Sequence, residues 1–152
     1  MYLTGELKQR LYAGEYDDML CKLYVTEDAA KQRNRLADII PEYEALFGET
    51  QVELFSAPGR TELGGNHTDH QNGCVLAASV NLDIVACAAA NGTNIIRIQS
   101  EGYPMEEISL DELEPKPEER NGTAALIRGV AAAISQRGYS VGGFDAYAAS
   151  DV

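Results

Sequence analysis

The sequence has few basic residues, few cysteines and no long apolar run. Its 12 Lys and Arg stand against 24 Asp and Glu, which gives a formal net charge of -12. A chain this acidic lacks the phosphate-neutralising surface that nucleic acid requires, and anionic membrane surfaces would repel it. No apolar run approaches the roughly 18 residues of a membrane-spanning helix. We therefore expect neither a nucleic-acid partner nor a membrane partner.

Other signals are missing as well. The three cysteines, Cys21, Cys74 and Cys87, show no C-x-x-C spacing, which disfavours a disulfide framework and a structural zinc site. The N-terminus has no apolar segment of the kind found in secretory signals, so we expect a cytoplasmic protein. The sequence contains no P-loop motif, no dinucleotide-binding glycine motif after a strand and no G-x-S-x-G elbow. These absences argue against three common enzyme classes.

The chain of 152 residues, 45% of them hydrophobic, is long enough for one domain with a true core. Residues 1–47 are predicted to be helical. Thr4 and Thr26 are expected to cap two of the helices, because a Thr hydroxyl can accept a backbone N–H at a helix start. A further helix is expected over Glu15–Tyr24. Pro41 is expected to end or kink the third helix, since proline removes a helical hydrogen bond.

Strand patterns follow Gly48. Alternation over 52–56 predicts one strand, and the apolar stretch 82–90 predicts another that is covered on both faces. The Asn91-Gly92 turn signal predicts that 94–100 returns beside 82–90 as a hairpin.

The C-terminal third is predicted to hold a surface connection, a helix and a last strand. Residues 102–120 are acidic and contain three prolines, which is typical of a surface connection, and 143–152 has a strand pattern. The stretch 121–137 has helical spacing with four apolar residues on one face: Ile127, Val130, Ala131 and Ile134. Runs of strands with helices set apart predict an α+β fold with a mixed or mostly antiparallel sheet.

The segment 56–73 (SAPGRTELGGNHTDHQNG) concentrates polar side chains and both histidines among four glycines. This composition is typical of a binding loop, in which glycine lets the backbone approach a ligand. Asp, Asn and His read sugar hydroxyls, and Arg suits phosphate. Two alternatives remain at this point: a polar surface turn, and a metal site at His67, Asp69 and His70, although no further ligand is evident.

The motif Ala57-Pro58-Gly59-Arg60, followed by Leu63, Gly65, His67-Thr68-Asp69 and Gly73, resembles the galactokinase signature of the GHMP family of small-molecule kinases. The resemblance runs from about residue 45 to the end. It implies the GHMP N-terminal domain, an α+β fold in which helices pack on one side of a mixed sheet with ribosomal-protein-like topology. Residues 1–47 would be a helical N-terminal extension, and 48–152 the N-terminal part of the kinase domain.

The resemblance also implies an activity, the transfer of the ATP γ-phosphoryl group to the anomeric hydroxyl of galactose with Mg²⁺. Arg60 would stabilise the charge on the transferring phosphoryl group, because phosphoryl transfer depends mostly on positioning and electrostatics. Asp69 would bind sugar hydroxyls, and His67 would support the sugar pocket.

Four positions depart from the family pattern. Glu62, Asn66 and His70 stand where the family has Asn, Glu and Tyr, and all three are kept as candidate substrate-binding residues. Thr123 stands where the family has an aromatic residue near the adenine, and it is a candidate nucleotide contact. These differences leave two alternatives open: a kinase for a different sugar, or a non-catalytic sugar-binding regulator.

The family's phosphate-binding loop, catalytic Asp and C-terminal domain are expected beyond Val152. We therefore expect the 152 residues to be an N-terminal fragment that does not phosphorylate sugar by itself. Its natural partners would be a small sugar and the rest of its own chain. Apolar surface left uncovered would favour self-association.

Overall fold

The computed structural model describes residues 1–65 and 71–152, which form a mixed sheet flanked by helices. The strands are β1 (Tyr2–Leu3), β2 (Gln51–Gly64), β3 (Leu76–Ala90), β4 (Ile95–Ser100), β5 (Glu106–Ser109) and β6 (Phe144–Ser150). The helices are α1 (Thr4–Tyr12), α2 (Asp17–Tyr24), α3 (Ala30–Phe47) and α4 (Thr123–Gln136), with a 3₁₀ turn at Pro117–Glu119. The predicted α+β class is confirmed.

The six strands lie in the order β1-β2-β3-β6-β4-β5, with β4 and β6 parallel and the other neighbours antiparallel. The predicted hairpin between β3 and β4 is therefore wrong, because β6 lies between them. The backbone of Gly143 explains why β6 and not β4 lies beside β3. The Gly143 carbonyl accepts a hydrogen bond from the Asn91 N–H at 3.2 Å, and the Gly143 N–H donates to the Thr93 carbonyl at 2.8 Å. The chain reverses at Asn91-Gly92 as predicted, but it passes across the start of β6.

Residues 1–47 hold helices α1, α2 and α3 as predicted, but the segment begins with strand β1, which pairs with β2. Pro41 does not end a helix, as one alternative proposed. It lies inside α3, which continues to Phe47. On either side of the proline, Ile40 and Tyr43 are 0% and 1% exposed. Burial of this face stabilises the helix beyond Pro41 and offsets the lost backbone hydrogen bond.

The two threonines expected as caps have other roles. Thr4 is the first residue of α1, and its hydroxyl donates to the Glu44 carboxylate on α3, so it ties two helices together. At the start of α3, the Asp28 carboxylate accepts the Ala30 N–H at 2.8 Å. Thr26 instead accepts the Asp28 N–H at 3.2 Å, which makes the local turn before the helix.

One core joins α1, α2 and α3 to one face of the sheet. Its members come from both sides of position 47, so the helices and strands share a single apolar interior; the division into 1–47 and 48–152 stays a prediction. The buried core side chains are Leu7, Leu11, Leu20, Tyr24, Ala29, Leu36, Ala37, Ile39, Ile40, Tyr43, Val52, Val85, Cys87, Ala89 and Tyr147.

The region from 102 to 137 contains more regular secondary structure than predicted, and its helix α4 is more exposed than predicted. The expected surface connection contains strand β5 and a 3₁₀ turn. The Arg128 side chain holds α4 to them by donating to the Glu119 carboxylate at 2.7 and 2.8 Å and to the Ser109 carbonyl at 3.2 Å. The apolar face predicted for α4 is mostly uncovered: Ala131 is buried, but Val130 is 53% exposed.

The described helices include none long and apolar enough to cross a membrane.

Candidate functional site

The segment singled out in the sequence begins on a long two-stranded arm. Beyond the helices, β2 and β3 continue as an antiparallel ribbon in which Arg60 pairs with Ser79 and Glu62 with Ala77. We call this ribbon, residues 60–64 of β2 and 76–79 of β3, the arm. Because side chains alternate along a strand, Arg60 and Glu62 lie on the same face of the arm. The strand pairing thus places two of the predicted site residues side by side.

A cleft of about 370 Å³ lies against this face. It is lined by Pro58, Gly59, Arg60, Glu62 and Val152. Arg60 is exposed and Glu62 is partly buried. A guanidinium that borders an open cleft is available to an anionic or polar ligand, which is the chemistry that arginine suits best.

The arm approaches its tip through a tight contact at Gly65. Its φ is +110°, and a Cβ added there would lie 2.7 Å from the Cys74 carbonyl oxygen. Only glycine fits both the backbone conformation and the space. Four predicted substrate-binding residues lie outside the described residues: Asn66, His67, Asp69 and His70.

Thr123 is not brought to this cleft. It is the exposed first residue of α4. A second cavity of about 640 Å³ lies between α4 and the 113–121 segment, and its lining includes Lys116, Arg120 and Arg128. Thr123 lines neither cavity. Its predicted nucleotide contact stays a prediction.

A buried carboxylate at the base of the arm was missed by the sequence reasoning. Asp83, only 2% exposed, accepts hydrogen bonds from the Tyr24 hydroxyl at 2.5 Å, the Ser56 hydroxyl at 2.5 Å and the Arg35 guanidinium. Burial by itself raises the pKa of Asp83, but the hydrogen bonds from Arg35, Ser56 and Tyr24 outweigh it and hold this pKa below its ordinary value. A single acid inside the apolar stretch LDIVACAAA was the available signal.

The Arg35 side chain extends this network to the end of β6. Its Nη2 donates to the Asp83 backbone carbonyl at 2.7 Å, and its Nε lies 3.3 Å from the Asp151 carboxylate. The Asp151 N–H donates to the same Asp83 carbonyl at 3.0 Å. Helix α3, strand β3 and the segment after β6 are thereby joined beside the arm.

A second Arg–Asp pair lies on the sheet away from the arm. Arg97 on β4 donates twice to the Asp145 carboxylate on β6, at 2.7 Å each, and the Asn91 amide donates to the same group at 2.7 Å. The Arg97 guanidinium also lies 5.4 Å from the centre of the Phe47 ring. This pair fixes the β4–β6 junction.

No group of three His, Cys, Asp or Glu side chains suited to a metal ion occurs within residues 1–65 and 71–152. The metal alternative at His67, Asp69 and His70 falls outside that part of the chain.

Comparison with known proteins points to the same part of the chain as the cleft beside Arg60 and Glu62. A family model described as the galactokinase galactose-binding signature matches residues 41–90, which include the whole β2–β3 arm. The galactokinase of Clostridium tetani (strain Massachusetts / E88) is 29% identical over 117 residues, or 76% of this chain and 30% of that protein. The galactokinase of Bacillus subtilis (strain 168) is 32% identical over 108 residues, or 68% of this chain and 27% of that protein.

A solved structure adds the fold. The crystal structure of Lactococcus lactis galactokinase complexed with galactose superposes with a TM-score of 0.67 at 29% identity, covering 77% of this chain and 31% of that one. The fold and the matched signature both make this chain similar to galactokinases. More particularly, the chain is related in sequence and in fold to the N-terminal portion of galactokinases. It spans less than a third of the length of each of these galactokinases, from 27% to 31%.

Proposed function

We propose that this chain is the sugar-binding N-terminal portion of a GHMP-type kinase that transfers the ATP γ-phosphoryl group to the anomeric hydroxyl of galactose. The observation that carries the proposal is the galactose-binding signature over residues 41–90, which contains the arm with Arg60 and Glu62. The Lactococcus lactis relative is described as complexed with galactose, which supports the choice of sugar.

Each candidate residue of the signature has a role in this proposal. Arg60, exposed beside the cleft, neutralises charge on the phosphoryl group as it moves, since such transfer depends mostly on electrostatic stabilisation. Glu62 shares its strand face and contacts a sugar hydroxyl. The remaining sugar contacts are assigned to the signature residues after the arm: Asn66, His67, Asp69 and His70.

ATP and Mg²⁺ belong to the longer protein in this proposal. Within residues 1–65 and 71–152 no group of three His, Cys, Asp or Glu side chains is placed to hold a metal ion, and no step of the reaction is assigned to the metal here. We assign the phosphate-binding loop and the catalytic Asp to sequence that would follow Val152. The 152 residues alone are expected to bind sugar without turning it over.

The proposal includes partners and location. Several large apolar side chains are uncovered, among them Phe55 at 54%, Ile84 at 45% and Leu126 at 69% exposed. In the longer protein the rest of the chain covers this surface, and the separate 152-residue chain associates with itself instead. The three cysteines are unpaired, which is consistent with a reducing cytoplasm.

The test is an ATP-consumption assay over a sugar panel, run on the full-length protein and on this chain, with calorimetric galactose binding beside it. We expect turnover of galactose by the full-length protein, and binding without turnover by this chain. Arg60→Ala in the full-length protein should lower kcat by about 100-fold while changing galactose affinity little, because Arg60 acts on the phosphoryl group. Galactose turnover by this chain alone would contradict the division of labour.

Two other functions are favoured by three departures from the family signature: a kinase for a different sugar, and a non-catalytic sugar-binding regulator. The departures are Glu62, Asn66 and His70. A site that hydrogen-bonds one particular hydroxyl rejects sugars that lack it, so a changed contact can change the sugar. Turnover of another sugar, with galactose refused, would select a kinase of different specificity. Galactose binding with no turnover of any sugar by the full-length protein would select a sugar-binding regulator.

A further inference from the structure

The arm leaves the helix-covered part of the sheet at Asp83. This residue is the strand partner of Pro58, the last regular pair before the register shifts. Its carboxylate accepts from three elements at once, through Tyr24 on α2, Arg35 on α3 and Ser56 on β2. One relative placement of these elements satisfies all the donors, so the base of the arm is fixed with respect to both helices.

The register shift lies directly beyond this point. The next pair after Pro58 and Asp83 is Arg60 with Ser79, so Gly59 faces a bulged stretch of β3. A Cβ built on Gly59 would lie 3.2 Å from the Leu82 carbonyl oxygen, the residue before Asp83. Bulges bend a strand and redirect its side chains. The direction in which Arg60 points therefore depends on the backbone next to Asp83.

Two of the donors come from outside the matched signature. Tyr24 and Arg35 precede residue 41, where the family model begins, whereas Asp83 and Ser56 lie within 41–90. The Arg35 guanidinium donates hydrogen bonds to both the side chain and the backbone carbonyl of Asp83. The helices before the signature thus contact the sugar-binding arm through one buried carboxylate.

We propose that Asp83 is a positioning residue for the sugar-binding arm, and that Tyr24 and Arg35 hold it, so that sugar affinity depends on the N-terminal helices. This inference rests on the proposed function. A buried ion pair contributes little net stability compared with apolar groups of similar size, and its best-attested use is to specify one arrangement. In this protein, the Arg35–Asp83 pair specifies how the arm is placed relative to the helices.

The Arg97–Asp145 pair is a matched control. It has the same chemistry and its carboxylate is also buried in the sheet, but it joins strands β4 and β6, whereas Arg35 joins helix α3 to the base of the arm. A purely structural role would make the two pairs equivalent for sugar binding. A positioning role makes only the Arg35–Asp83 pair matter.

The experiment measures galactose affinity by calorimetry in this chain for Tyr24→Phe, Arg35→Met and Arg97→Met, together with the urea midpoint of each variant. Tyr24→Phe is the mild variant, since it removes one donor and keeps the ring in the core. We expect Tyr24→Phe and Arg35→Met to weaken galactose binding by about tenfold in the folded protein, and Arg97→Met to leave it within about twofold. Equal losses in Arg35→Met and Arg97→Met, or unchanged affinity in Tyr24→Phe, would overturn the inference.

Amide hydrogen exchange separates this inference from the proposed function. In Tyr24→Phe we expect faster exchange in the paired stretches 60–64 and 76–79, with no change in the paired stretches 84–90 and 144–150. If the wild-type chain does not bind galactose, the proposed function fails, yet this selective loosening still supports the positioning role. Uniform acceleration across the sheet, or none in the arm, would reject it.

Discussion

The two halves of the β2–β3 ribbon have opposite surroundings. In the half that helices cover on one face, Val52 is 1% exposed and Val85 is 0% exposed, whereas Phe55 and Ile84 on its other face are 54% and 45% exposed. In the arm, Leu63 and Leu76 are 65% and 64% exposed. One face of the ribbon therefore passes from a packed interior to open surface over about ten residues, while the other face is largely exposed in both halves.

This contrast separates what stabilises the domain from what presents the site. The covered half contributes apolar burial, which is the main favourable term in folding. The arm gains little from burial, so its placement depends on backbone pairing, on the bulge at Gly59 and on the Asp83 hydrogen bonds. Stability and site geometry should therefore respond to different substitutions.

The largest expected difference comes from truncating one leucine in each region. Leu11 is 2% exposed in the core, and Leu76 is 64% exposed on the arm. Leu11→Ala should lower the free energy of unfolding by about 2–5 kcal/mol, because it leaves a cavity. Leu76→Ala removes the same atoms and should change it by less than about 0.5 kcal/mol. Urea unfolding followed by circular dichroism measures both, and a comparable loss in Leu76→Ala would break the contrast.

A smaller effect is expected from two crowded glycines. A Cβ on Gly143, at the start of β6, would lie 2.5 Å from the carbonyl oxygens of Thr93 and Ile95, so Gly143→Ala should lower global stability by about 1–3 kcal/mol. At Gly65 an added Cβ would lie 2.7 Å from the Cys74 carbonyl oxygen, but this residue lies at the end of the arm, so Gly65→Ala should weaken galactose binding while leaving the urea midpoint nearly unchanged.

The control for these glycines is Gly129 in α4, where an added Cβ meets nothing within 4 Å. Gly129→Ala should raise stability by roughly 0.5–1 kcal/mol, since alanine loses less entropy in a helix. A global loss in Gly65→Ala as large as that in Gly143→Ala would show that the arm folds as one unit with the core.

Local patterns in the sequence predicted much of the fold. The helices before position 48, a strand over 82–90 and the turn at Asn91-Gly92 all depend on periodicity or on backbone preferences within a short window. The expected cover on both faces of 82–90 is wrong, because burial alternates along the strand and Leu82 and Ile84 are 46% and 45% exposed. The strand order could not be predicted this way. Strand β6, whose first residue Phe144 pairs with Ala90, displaces β4 from the expected hairpin, and this pairing spans more than fifty residues of sequence.

The site shows the same division. Arg60 and Glu62 could be proposed from a short motif, and their common strand face agrees with its spacing. The network at Asp83 could not, because its donors Tyr24 and Arg35 are 59 and 48 residues away along the chain. Only the folded chain brings them together, and a lone acid in an apolar run indicates a partner without identifying it.

The smallest change tested is a chemical label on one thiol in each region. Cys87, on the covered half of β3, is 0% exposed; burial first, and then the nearby Glu44 charge, raise the pKa of its thiol to about 12. At pH 8 this thiol stays protonated and inaccessible, whereas Cys74 beside the arm is exposed.

In a Cys21→Ser background, iodoacetamide should label Cys74 readily and Cys87 only in urea. Because alkylation of Cys87 requires the covered half to open, its rate reports the stability of the core, while the rate at Cys74 should not follow the urea midpoint. Similar rates at both thiols in the native protein would mean that the covered half opens as freely as the arm, and the separation between stability and site geometry would fail.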